Sequence, residues 1–133
     1  MSQYSIDRTL HCPFGEAIRQ VKAALVAQGF GTLTEVDIQA ALQAKIGKQI
    51  PGYMILGVCN PRLAADAIEA EPNIGVFLPC TVLVREDPDA IRVAVQDPGL
   101  MAQFTGNPKL EPLSKEARDR IEAALDTLAG DPR

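Results

Sequence analysis

The sequence predicts an α+β domain: one mainly antiparallel sheet with helices packed on it. Three observations predict it. Short apolar segments of strand length take turns with segments whose apolar residues recur every three or four positions. The stretch "EDPDA" is a turn between two strand-like runs and marks a hairpin. Pro and Gly punctuate the chain evenly, without repeats or low-complexity linkers, as short connections require.

The elements follow in order. "YSIDRTL" alternates, with Tyr4, Ile6 and Leu10 on one face, so it reads as a half-buried strand. Pro13 opens a helix, where its missing N–H costs little, and Phe14, Ile18, Val21 and Leu25 form its apolar stripe until Gly29 ends it. "FGTLTEV" is a strand, and Asp37 is the N-cap of a helix carrying Ile38, Leu42 and Ile46, stopped by Gly47. "GYMILGVC" is apolar on both faces and needs cover on both, from helices, a neighbouring element or a dimer partner. Asn60-Pro61 joins a good N-cap to a good first helical residue, and Leu63, Ala64, Ala67 and Ile68 stripe that helix as far as Pro72. "IGVFLPCTVLVRED" reads as a strand interrupted at Pro79, and it pairs with "IRVAV". Asp97-Pro98 starts a short helix through Met101 and Phe104. Ser114 is placed as the cap of a last helix striped by Ala117, Ile121, Leu125 and Leu128.

One domain is expected over residues 1–133, with a core from about 4 to 128 and a short flexible C-terminal end. An apolar fraction of 47% supplies that core, although no Trp and only four Phe contribute to it. A net charge of -4 argues against nucleic acid, whose phosphates call for a basic surface. No apolar run is long enough for a membrane span. The start "MSQYSIDRTL" lacks the basic-then-apolar pattern of a secretory signal. Three cysteines with no framework spacing suit reduced thiols, so the expected location is cytoplasmic.

Chemistry has few places to reside. Cys59 lies just before the helix start at Asn60-Pro61, where unpaired N–H groups favour a thiolate, and Cys80 follows the break at Pro79. If folding joins the two strand ends, the thiols form a redox pair or hold a soft metal such as Cu(I). The plainer reading makes both cysteines small apolar fillers. Glu35 and Asp37 share a strand face; Asp37 already has a capping role, whereas Glu35 is free to meet Lys45 or a ligand. His11, the single histidine, is a proton acceptor without a companion nucleophile, and its neighbour Cys12 points the other way in an extended segment. No GxGxxG, P-loop, CxxC or nucleophile-elbow pattern is present, and no cofactor is predicted.

The ordered set "GFGTLTEVDIQAALQAKIG", "YMILGVCNPRLAADAIEAEPNIGVFLPCTVLV" and "VAVQDPGLM" resembles the bacterial and archaeal family called domain of unknown function 302. The resemblance runs from about Tyr4 to Leu128. It rests on Gly29-Phe30, Glu35, Asp37, Lys45, Leu56-Gly57, Cys59-Asn60-Pro61, Pro79-Cys80 and Asp97-Pro98. It implies an α+β fold and a homodimer, with no established enzymatic activity. His11 and Cys12, in "HCPFG", depart from the family's small polar helix start and are local features.

Two functions are therefore expected to compete. The leading one is a small dimeric module that binds a small ligand or a protein partner. The alternative is thiol chemistry at Cys59 and Cys80, as a redox pair, a sulfur carrier or a soft-metal clamp.

Overall fold

The computed structural model describes residues 3–128. Its strands are β1 (Ser5–Leu10), β2 (Gly31–Asp37), β3 (Tyr53–Cys59), β4 (Cys80–Glu86) and β5 (Ile91–Gln96). Its helices are α1 (Phe14–Ala27), α2 (Ile38–Ile46), α3 (Pro61–Ala70), α4 (Gly99–Thr105) and α5 (Glu111–Asp126). The strands form one sheet in the order β1-β5-β4-β3-β2, with every neighbouring pair antiparallel. The α+β class is therefore correct. The expected flexible C-terminal end lies outside the described residues.

Register decides which side chains meet. Ile6, Val95, Val82 and Leu56 stand in one row across four strands, and Glu35 on β2 ends that row. All four apolar members are buried, beneath Ala17, Val21 and Leu25 of α1, Leu63 of α3, and Ala117, Ile121 and Leu125 of α5. Burying a large aliphatic side chain is worth roughly 1.5–3 kcal/mol, so this aliphatic layer carries the fold without Trp. A second row, Ala94, Leu83, Ile55 and Val36, points to the opposite face. There Leu83 and Ala94 line a shallow groove with Tyr53, Arg85 and Arg92. Of the two faces of β3 expected to be covered, one lies under α1, α3 and α5, and the other is covered in part, with Pro79 against Gly57.

Local backbone signals match the expected elements. Asp37 accepts a hydrogen bond from the Ala40 N–H at 2.9 Å and caps α2. Gly29, with φ of 88°, turns the chain out of α1. Asp87 N–H bonds to the Ala90 carbonyl at 2.9 Å in the β4–β5 turn.

Four expectations are corrected. The stripe of α2 is not buried: no residue of that helix is, and Ile46 is 72% exposed. The strand expected from Ile74 begins only at Cys80, because Pro72–Phe77 forms a 3-10 turn followed by a cis Leu78–Pro79 peptide. Tyr4 precedes β1 and is exposed. Ser114 is no cap, since α5 already starts at Glu111 with Pro112 in its first turn. The preceding turn is capped instead by Asn107, which accepts from the Lys109 N–H at 3.0 Å. Ser114 is 4% exposed, and its hydroxyl has no hydrogen-bond partner.

Candidate functional site

Three chain reversals build the site. At the first, β3 ends in Cys59 and Asn60 turns the chain into α3, its side-chain oxygen accepting from the Leu63 N–H at 3.3 Å with Pro61 as the first helical residue. Asn60 lies against Gly29: a Cβ at position 29 would come within 2.8 Å of the Asn60 amide nitrogen. The glycine therefore serves both its left-handed φ and this approach, linking two separate sequence motifs. At the second reversal, β4 starts at Cys80, which pairs in register with Val58. Cys59 and Cys80 thus occupy the adjoining ends of neighbouring strands. Regular ladder spacing puts their Cα atoms on the order of 6 Å apart.

The third reversal joins β5 to α4. Asp97 Oδ1 accepts from the Gly99 N–H at 2.9 Å, and the other carboxylate oxygen takes an ion pair from Arg118 of α5. That pair ties the start of α4 to the last helix. It also pushes the Arg118 pKa up, chiefly through the hydrogen bond to Asp97. The 3-10 turn after α3 meets α4 through the rings of Phe77 and Phe104, stacked at 6.3 Å.

These segments enclose a cavity of about 50 Å³ between the sheet, α3, α4 and α5. Phe30, Val58, Leu63, Ala67, Phe77, Met101 and Ile121 form much of its wall, with Cys59 and Cys80 beside them. The polar side chains on the wall are Asn60 and Gln96. The space admits ordered waters or a small apolar group.

The two thiols differ in setting. Cys80 donates to the Gln96 carbonyl at 3.7 Å. Burial pushes its pKa up from the ordinary 9.0 to about 12, with Asp97 and Cys59 adding to the shift. It is a neutral thiol at physiological pH. Between pH 9 and 12 the unfolded chain would lose this proton while the native chain keeps it, so stability falls as pH rises across that window. Denaturant unfolding at pH 8, 10 and 11 should show the decline, and Cys80→Ala should flatten it.

The other candidate residues lie elsewhere. Glu35 pairs with Lys22 of α1, not with Lys45, because its place in the buried row points it to the helix-covered face where α1 runs. Lys45 is exposed in the last turn of α2, and Asp37 is engaged as the cap. Neither lines the cavity, nor does exposed His11. Cys12 packs at the core margin, and burial raises its pKa. Pro79 sits over Gly57 at the sheet. Met101 and Gln96 are wall residues that sequence reasoning did not assign to a site; Met101 had been placed only on its helix. Among the described residues, no group of three or more His, Cys, Asp or Glu could hold a metal ion. No helix among them is long and apolar enough to cross a membrane.

Comparison with known proteins finds a family and a solved structure that this chain resembles. The family described as "Domain of unknown function DUF302" matches residues 6–128. The crystal structure of an uncharacterized conserved DUF302 protein from Bacillus stearothermophilus superposes with a TM-score of 0.87 at 25% identity, covering 94% of this chain and 98% of the other. No curated protein matches the chain.

Proposed function

Because this chain belongs to the DUF302 family, whose description names no activity, we propose its function from geometry: it is a binding module for a small, largely apolar ligand. The observation that carries this reading is the cavity between the sheet, α3, α4 and α5, an apolar wall interrupted by two amides and two thiols. An apolar wall with a few polar groups is the usual lining of a ligand site, and the small volume limits the occupant to a few heavy atoms. Xenon, an apolar probe small enough for this space, should show binding at one site per chain by its NMR shift. Ala64→Phe, which adds a ring at the cavity wall from α3, should weaken it by at least ~10-fold while the circular dichroism stays native. Equal xenon affinity in the folded variant would reject the cavity as the site.

A second observation favours a homodimer. The row Ala94, Leu83, Ile55 and Val36 puts aliphatic side chains on the sheet face opposite α1, α3 and α5, and Val36 is exposed. An aliphatic sheet face that is only partly covered is a natural seam for a second copy. Sedimentation at micromolar concentration should give a dimer, and Leu83→Glu should give a folded monomer. A monomeric native chain would overturn this reading. Three free cysteines accord with a reducing, cytoplasmic setting.

The thiol-redox alternative has less support. A resolving cysteine needs a reachable thiolate, whereas Cys80 is held protonated and bonded to Gln96.

A further inference from the structure

We propose that Cys59, Cys80 and Met101 form a site for one soft monovalent metal ion of the Cu(I) class. This deepens the reading that the cavity takes a ligand, and it rests on it. Three sulfur-bearing residues come from the end of β3, the start of β4 and the middle of α4, yet all line one cavity. Two of the chain's three cysteines stand on its wall at adjoining strand ends, and the third, Cys12, does not.

The donor set selects the metal. Thiolate and thioether sulfur favour Cu(I), and the wall offers no carboxylate or imidazole for harder ions. Zinc, which takes four ligands in closed sites, is poorly matched by two thiolates and a thioether. The apolar surroundings keep water from competing for the ion.

Charge and protons balance as follows. A monovalent cation joins two thiols, two S–H protons leave to solvent, and the centre carries one negative charge. No oxidation or reduction occurs. Cys59 directly precedes the N-terminus of the ten-residue helix α3, whose dipole stabilises that negative charge. Binding displaces two thiol protons, so apparent affinity rises with pH.

The test is an anaerobic titration of the fully reduced chain with Cu(I) buffered by a chromophoric chelator. X-ray absorption then reads the ligand atoms. The expected result is one ion per chain with two or three sulfur neighbours. Loss of either cavity thiol, in Cys59→Ser or Cys80→Ser, should cost more than ~100-fold in affinity, above the range for supporting groups around a metal. Met101→Leu should cost about 10-fold, and Cys12→Ser nothing. Cys59→Ala and Met101→Leu keep the test intact should a change at the buried Cys80 prevent folding. Unchanged binding in Cys59→Ala, dependence on Cys12, or oxygen and nitrogen ligation would overturn the proposal. Xenon binding without copper binding would reject the metal site and keep the cavity reading; failure of both would reject both.

Discussion

Ile121→Ala is expected to lower the unfolding free energy by about 2–5 kcal/mol, the range for truncating a large buried aliphatic residue. Ile121 is fully buried in the stripe of α5, and it belongs both to the core and to the cavity wall. Removing its outer carbons therefore enlarges a space that already exists. The wall is held by the Arg118–Asp97 pair and the stacked Phe77 and Phe104, so little collapse can offset the loss. The cost should fall in the upper half of the range. Urea unfolding measures it directly, and a loss below ~1 kcal/mol would mean that α5 repacks freely against the sheet.

Gly57→Ala is expected to cost about 1–3 kcal/mol through crowding, not through lost contacts. Gly57 lies on β3, and an added Cβ would come within 2.5 Å of the Thr34 hydroxyl and 2.7 Å of Pro79 Cγ. The threonine can rotate, but the proline ring cannot move away from β3 without dragging the start of β4. Adding Thr34→Ala should therefore recover only part of the stability. Thermal unfolding of the single and double variants decides the matter: full recovery would place the whole clash on Thr34.

What could be read in advance divides by distance along the chain. Asp37, Asn60-Pro61 and Gly29 act on backbone groups within a turn of themselves, so their effects were plain in the sequence. The interior position of β3, between β2 and β4, was also visible, because a long apolar run suits a strand paired on both sides. Partnerships between remote segments were not. Glu35 meets Lys22 because the register of four strands points it toward α1, and no local pattern contains that register. The stripe of α2 has helical spacing, yet the helix follows edge strand β2 and reaches no core. Ser114 looked like a cap because Ser often is one, while Pro112 and the Asn107 turn had already begun the helix. For the site, the two cysteines were legible as strand ends. Met101 was not, since only the fold brings α4 over them.

The strand order has a further consequence during synthesis. β1 leaves the ribosome first, but its partner β5 comes near residue 96, so Ser5 cannot pair with Gln96 until the intervening chain is made. At ordinary translation rates that wait is on the order of 5–20 s. For this interval the first strand is an unpaired edge, open to any passing strand. Its sequence is suited to the exposure: Asp7 and Arg8 place adjacent opposite charges in the middle of "SIDRTL", and a charged strand discourages foreign pairing. The same charges suit β1 in the finished sheet, where it remains an edge strand.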